Sequence, residues 1–331
     1  ELNSERLAGD NDKFKKQIDD YVVNKQPLLT SLVINKDDSK KISDKLIGVF
    51  FEDLSYAADG GLYAEMVQNR DFEYFKGENR HEKDWGPTFS WQSNDSIVID
   101  TVMPLSKINC HYAVLNANAL TNNGWDGFYI QNRNVYNFSM FVRCIDPSSM
   151  GFRISLIDGS KVIATTTVKS KGKNWNQISA TLTAQDHAEN AVLKVEPLKK
   201  GRVAVDMISL FPQATFKGRP NGLRKDLAQT IADLHPKFMR FPGGCLSHGD
   251  GLDNIYEWKE SIGPLQDRVP DRNIWNYHQT KGLGFYEFFQ FCEDMGCEPL
   301  PVLAAGVPCQ NSASDACGFG GQQGGIPMEE M

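Results

Sequence analysis

Apolar and polar positions follow three different rhythms along the chain. In residues 28–76 the apolar run Leu46 to Phe51 shows no alternation and ends on Glu52 and Asp53. A strand that is apolar on both faces is one covered on both sides, as in a parallel sheet. The stretch from Gly61 to Arg70 then carries helix-like spacing, so the pattern predicts a strand followed by a helix.

Residues 77–212 alternate with a period of two. Short runs recur at Ser96–Thr101, Tyr136–Cys144, Phe152–Ile157, Val162–Val168, Gln177–Leu182, Ala191–Val195 and Val203–Phe211, with Asn, Gly, Asp, Ser and Pro between them. This is the signature of an antiparallel β-sandwich or jelly roll, and it predicts a separate all-β module. From residue 213 the strand-then-helix texture returns. Leu223–Leu234 has helical spacing, and Phe238-Met-Arg-Phe241 reads as a short strand before Pro242-Gly-Gly244. Gly284–Met295 is a helix whose Phe285, Phe288, Phe289 and Cys292 form an i, i+3, i+4, i+7 stripe, and Glu298–Leu303 is a third strand.

The order predicts a fold of the α/β plus all-β class: an incomplete (β/α)8 barrel of three βα units with a β-sandwich inserted after the first. The domains expected are a polar segment 1–27, barrel residues 28–76, the β module 77–212, and the barrel's continuation 213–331. A doubly wound sheet is the alternative, although no G-x-G-x-x-G turn follows any strand. Residues 318–325 are Gly-rich without the ending of a phosphate loop, which favours a plain loop. Ile326-Pro-Met-Glu-Glu-Met331 then reads as the start of a helix, so the sequence looks like the front portion of a longer protein.

Composition narrows the function classes. The 331 residues carry 35 basic and 42 acidic side chains, a net charge of −7, and 40% are hydrophobic. That is too apolar for disorder, and the absence of a basic run argues against a nucleic-acid partner. No apolar run approaches the roughly 18 residues of a membrane span. Residues 1–26 hold no apolar signal-peptide core. The seven cysteines form no C-x-x-C pair; they read as buried or free thiols, with Cys309 and Cys317 the best disulfide candidates in an oxidising compartment. The six histidines show no HExxH or facial-triad spacing, so no catalytic metal and no cofactor is expected.

Polar residues at the C-terminal ends of barrel strands line the site of such folds. Glu52 directly follows an apolar run, and Arg240 is flanked by apolar residues in Phe238-Met-Arg-Phe-Pro-Gly-Gly-Cys245. Each is expected at the barrel mouth, where a guanidinium can orient a carboxylate. A buried salt bridge between the two is the purely structural alternative. Cys245 follows two glycines that let the backbone approach a ligand, but no His at a telling spacing supports a nucleophile, and His248 reads as a loop residue. Trp258 and Trp275 lie in the long stretch after this strand, where rings serve either as platforms for sugar C–H faces or as core.

The segments GVFFEDLSYAADGGLYAEMVQNRDFE, MRFPGGC, YEWKESIGP and TKGLGFYEFFQFCEDMGCEPLPVL, in this order, resemble the alpha-L-arabinofuranosidases of glycoside hydrolase family fifty-one. The middle module, ending Val205-Asp-Met-Ile-Ser-Leu-Phe-Pro212, is similar to a family-four type of carbohydrate-binding domain. The resemblance spans about residues 28–310 and implies a retaining glycosidase that removes terminal arabinofuranose from arabinan or arabinoxylan. Such chemistry takes two carboxylates about 5 Å apart. The family's two glutamates follow strands four and seven, so both are expected beyond Met331. Of the residues present, the resemblance puts Glu52 on the family's sugar-binding glutamate, Arg240 on its active-site arginine and Trp275 on an aromatic of the substrate pocket. Cys245 stands where many members have an asparagine. A polysaccharide or oligosaccharide partner, a secreted or periplasmic location and a homo-oligomer in the full-length form are further expectations. A carbohydrate-binding fragment without catalysis, and a xylanase or glucanase of another barrel family, are the competing readings.

Overall fold

The computed structural model describes residues 12–20, 22, 32–33, 39–75, 85–251 and 254–309. The chain divides into two compact units, Glu1–Ser43 and Asp44–Met331. In the first, residues 12–20 form an exposed helix, α1. The second unit holds all the strands described here.

In chain order these are β1 (Val49–Phe50), β2 (Trp91–Ser93), β3 (Val98–Asp100), β4 (Tyr112–Leu115), β5 (Leu120–Asn122), β6 (Phe128–Ile130), β7 (Val135–Cys144) and β8 (Ser149–Asp158). There follow β9 (Lys161–Lys171), β10 (Asn176–Thr183), β11 (Ala188–Pro197), β12 (Val203–Pro212), β13 (Phe238–Phe241), β14 (Asp271–Arg272), β15 (His278–Gln279) and β16 (Glu298–Pro301). The helices after α1 are α2 (Lys225–Ala232), α3 (Cys245–His248) and α4 (Phe285–Met295).

The seven runs expected between residues 96 and 211 all appear as strands, most of them longer by one to three residues at their ends. β10-β7-β12-β4-β3 form one antiparallel sheet and β2-β5-β11-β8-β9 the other, with β6 added to β11. The period of two turns alternate side chains inward. Phe138, Met140 and Val142 of β7 share one buried core with Phe152, Ile154 and Leu156 of β8. β2, β4, β5 and β6 escape the sequence pattern because each has only three or four residues.

β1, β13 and β16 make a separate, parallel sheet in the order β1-β13-β16, with Phe50 opposite Arg240 and Arg240 opposite Leu300. α4 covers it: Phe288 stacks on Phe241 at 4.8 Å between ring centroids, and Phe285 and Cys292 are buried as the stripe predicts. Phe289, also in the stripe, is 43% exposed, and Phe291 is buried instead.

The helix expected from Gly61 to Arg70 is not formed. A five-residue turn, Ala58–Leu62, has non-helical angles at Asp59, Gly60 and Gly61, and the chain then continues without helix into a turn at residues 68–71. Gly60 has φ +82°, and a Cβ there would lie 2.6 Å from the Trp125 ring. The apolar residues of this stretch serve two cores: Leu62 and Tyr63 join the one beneath the parallel sheet, whereas Val67 and Phe72 join that of the sandwich. Glu65 fixes the crossing by accepting from Val67 N (3.0 Å) and Leu210 N (2.9 Å).

β1 is also shorter than the apolar run that predicts it, and Leu46 and Ile47 are exposed. No helix among the described residues is long and apolar enough to cross a membrane. Cys110, Cys144, Cys292 and Cys297 are free thiols. Cys317, the Gly-rich 318–325 and the expected helix start from Ile326 lie outside the described residues.

Candidate functional site

β1 and β13 are parallel, so their C-terminal ends open on the same side of the sheet. Glu52 and Asp53 follow β1 directly, and consecutive extended residues point opposite ways. Each therefore organises a different loop.

Glu52 turns toward the glycines after β13. Its Oε1 accepts hydrogen bonds from Gly244 N (2.8 Å) and Leu246 N (3.1 Å). That close approach explains Gly243: a Cβ there would fall 2.8 Å from Leu246 Cβ and 3.0 Å from Glu52 Cγ and Oε1. Arg240 reaches the same turn from β13, its guanidinium 4.6 Å from the centroid of the Phe50 ring, where a cation is held by the ring's negative face. A Cβ added at Gly244 would lie 3.7 Å from Arg240 Nη2 and from Glu52 Oε1, and 3.9 Å from Oε2, so the two charged groups converge on one spot.

They nevertheless do not pair with each other. Among the described residues Oε2 of Glu52 and the donors of Arg240 have no protein partner within hydrogen-bond reach. The structural alternative of a simple buried salt bridge is thus not realised. An acceptor and a planar fork of donors are left beside the same glycine turn, a pair of groups that suits hydroxyls.

Asp53 turns the other way and is buried. Its Oδ1 accepts from Ala58 N and from the Tyr277 hydroxyl, both at 3.0 Å, and its carbonyl accepts from the same hydroxyl (2.8 Å) and from Asn273 Nδ2 (3.4 Å). Asn273 Oδ1 in turn accepts from Trp275 N at 3.0 Å. The turn that carries Trp275 is therefore fastened to the end of β1. Burial, reinforced by the neighbouring carboxylate of Asp59, lifts Asp53 to about 7. Asp59 is itself buried and raised by desolvation, and accepts from Thr280 N (2.6 Å) and Thr280 Oγ1 (3.0 Å).

A small pocket behind this strand end is lined by Asp53, Asp59, Pro242, Leu246, Tyr256 and Lys281. Lys281, 1% exposed, donates to Glu260 at 3.0 Å. Below it Arg268 makes a two-pronged pair with Glu287 (2.8 and 2.9 Å), and Glu287 also accepts from Gly284 N and Asn221 Nδ2. This network holds the start of α4 against the loop of residues 261–268.

The residues expected from the sequence are thus partly gathered. Glu52, Arg240 and Cys245 meet at one turn, Cys245 being the first residue of α3 between the two N–H groups that Glu52 binds. Trp275 is linked to them through Asp53 and Asn273, and is half-buried against the core under the parallel sheet. Trp258 joins that core through Phe285, with ring centroids 5.9 Å apart, rather than through the Glu52 turn. His248, expected in a loop, is instead the last residue of α3, its Nδ1 lying 3.0 Å from the carbonyl of Val307. Asp53, Asp59 and Tyr277 escaped the sequence reading. The available signal was the second carboxylate directly after Glu52, since one of two consecutive acids at a strand end must face inward.

Residues 230–319 match the family model described as the alpha-L-arabinofuranosidase 1 domain. An extracellular exo-alpha-L-arabinofuranosidase of Streptomyces chartreusis is 39% identical over 306 residues, covering 87% of this chain and 36% of that protein. Alpha-L-arabinofuranosidase 1 of Arabidopsis thaliana is 32% identical over 284 residues, covering 81% of this chain and 41% of that protein. Among solved structures, an arabinose-bound alpha-L-arabinofuranosidase of family GH51 superposes with a TM-score of 0.76 at 30% identity, covering 85% of this chain and 47% of that one. The chain spans less than half the length of these relatives. Over the shared span, both the sequence and the fold are similar to those of alpha-L-arabinofuranosidases, including one of glycoside hydrolase family fifty-one.

Proposed function

We propose that this chain supplies the substrate-binding strand ends of a retaining enzyme that releases terminal alpha-L-arabinofuranosyl residues from arabinan or arabinoxylan outside the cell. In this reading β1, β13 and β16 are the first three strands of a (β/α)8 barrel, and residues 77–212 are an inserted carbohydrate-binding-type module. Glu52 and Arg240 grip the hydroxyls of the terminal sugar, Cys245 and Trp275 border it, and the two catalytic glutamates stand outside these 331 residues. The observation that carries the proposal is that Glu52 Oε2 and Arg240 approach one glycine turn without pairing, and have no hydrogen-bond partner among the described residues. The names of the relatives support the sugar and the bond.

The test is hydrolysis of 4-nitrophenyl alpha-L-arabinofuranoside and of arabinoxylan by the full-length protein. Free arabinose as the product, with loss of rate in Glu52→Gln and Arg240→Ala, supports the reading. Oligosaccharides as the main product would point to an endo-acting barrel enzyme instead. Purified residues 1–331 alone are expected to show no turnover, because a retaining mechanism without its carboxylates loses orders of magnitude.

A second reading, that the sandwich binds glycan by itself, is favoured by a cleft beside β3 and β4 lined by Asp95, Asp100, Tyr112, Asn116, Asn118 and Arg143. Arg143 lies 5.4 and 5.3 Å from the centroids of the Tyr112 and Trp175 rings, and its Nε has no hydrogen-bond partner among the described residues. Weaker binding of arabinoxylan by Arg143→Ala, with turnover on the nitrophenyl substrate unchanged, would support that role.

A further inference from the structure

Three side chains of metal-binding type meet where the chain passes from the parallel sheet into the sandwich. Glu73 follows Phe72, a residue of the sandwich core, and Cys110 and His111 immediately precede β4. Each offers one ligand atom, and these atoms all lie within 4.8 Å of one another. Glu73 Oε2 is 2.6 Å from His111 Nδ1, and Cys110 Sγ is 3.8 Å from the same nitrogen. Glu73 Oε1 accepts from His111 N at 2.7 Å, which fixes the carboxylate in place. A tetrahedral zinc ion with its usual bond lengths sets neighbouring ligand atoms about 3.3–3.7 Å apart. The present separations bracket that range, so small side-chain rotations suffice.

A second observation concerns the surroundings. Asp206 of β12 is fully buried, and its Oδ2 has no hydrogen-bond partner. Its carboxyl is pushed well above the ordinary range by burial, with the charges of Asp71 and Glu73 adding to the effect. Asp206 is thus a buried acid within electrostatic reach of Glu73, its Oδ2 without a hydrogen-bond partner among the described residues.

We propose that Glu73, Cys110 and His111 form a binding site for one divalent cation of the zinc class, which pins the crossing segment to the start of β4. The donor set of thiolate, imidazole and carboxylate selects a borderline-soft ion, whereas calcium takes six to eight oxygens. Binding displaces the thiol proton of Cys110 and replaces the hydrogen bond between His111 and Glu73 by two bonds to the ion, with water as the fourth ligand. The site is independent of Glu52 and Arg240, and does not rest on the activity proposed above.

The experiment uses the full-length protein, stripped with a chelator and titrated with zinc chloride by calorimetry, with metal content and unfolding temperature measured in parallel. The expected result is one equivalent bound and a rise in unfolding temperature. Cys110→Ser and His111→Gln should each lose affinity by more than about tenfold, a cost that even an outer-shell loss can reach. Cys297→Ser should bind zinc as the parent does. Cobalt should show the thiolate-to-metal charge-transfer absorption in the parent and in Cys297→Ser, but not in Cys110→Ser. The metal-free variants should melt with the metal-free parent, which separates loss of the site from loss of the fold. Zinc binding unchanged in Cys110→Ser and His111→Gln, a cobalt spectrum without thiolate absorption, or stabilisation by calcium but not by zinc would overturn the proposal.

Discussion

The sandwich and the parallel sheet draw on similar apolar residues and end in different states. β7 is bonded along its length to β10 on one side and β12 on the other, and its inward residues Phe138, Met140 and Val142 are completely buried. β1 is paired over two residues and β16 over four, all four residues of β16 are exposed, and Phe50, Leu300 and Leu303 are each about half exposed. A strand that alternates supplies its own inner and outer face, so two such sheets close a core between them. A strand apolar on both faces closes only when other elements cover both. The polar groups of the proposed site sit on the second kind of element, where the strand ends lie free to receive a ligand.

This contrast can be broken or sharpened by measurement. The largest effect is expected from Phe152→Ala in the sandwich core, a loss of about 3–5 kcal/mol in unfolding free energy. Urea denaturation of the full-length protein measures it, and a loss below about 1 kcal/mol would mean that the sandwich core is not what holds this region together. Next comes Glu287→Ala, which strands the buried Arg268 guanidinium. Removing one partner of such a pair costs about 3–5 kcal/mol, and Glu287→Gln should recover part of it by keeping the bonds to Gly284 N and Asn221.

Arg240→Ala should act on the reaction rather than on the fold. Losing hydrogen bonds from a charged group to substrate costs about 1.5–3 kcal/mol, roughly 10- to 150-fold in kcat/KM. The unfolding midpoint should hardly move, since Arg240 makes no ion pair among the described residues. A large fall in stability with little change in kinetics would reverse that assignment.

A smaller effect separates two buried titratable groups near the site. Asp53 holds its proton up to about 7 when folded, against an ordinary value of 3.8. The folded state therefore binds more protons than the unfolded one between those values, and stability falls as pH rises through that window. His278, fully buried against Tyr74, is pushed down from 6.5 to about 4, so its contribution is present above 6.5 and is lost as pH falls toward 4. Asp53→Asn should remove a negative slope and His278→Phe a positive one. Asp271, lifted to about 6, adds to the first slope in both variants. Unfolding temperatures at pH 4, 5.5 and 7 (round values chosen about these pKa positions) decide it, and equal slopes in the two variants would refute both assignments. The smallest effect belongs to Leu300→Ala on exposed β16, within about 0.5 kcal/mol in this chain.

How much of this was legible in the sequence depends on the range of the interactions. The seven sandwich runs, the α4 stripe and the β13 strand rest on local periodicity, which does not need the rest of the fold to be recognised. Glu52 and Arg240 were legible because a charge beside apolar residues has few structural uses. The stretch Gly61–Arg70 was misread because the spacing that suits one helix face also suits an irregular chain whose residues join two cores in turn.

The sequence by itself determined the seven longer alternating runs and the α4 stripe, the separation of an alternating region from one that does not alternate, and the strand ends that carry charge. Tertiary structure alone decided that Glu52 binds the turn at Gly244 while Asp53 holds the turn of Trp275, and that Glu73 meets Cys110 and His111. These contacts join residues 38 to 220 positions apart. Periodicity reports which face a residue takes on its own element, and carries no information about which distant element will be packed against that face.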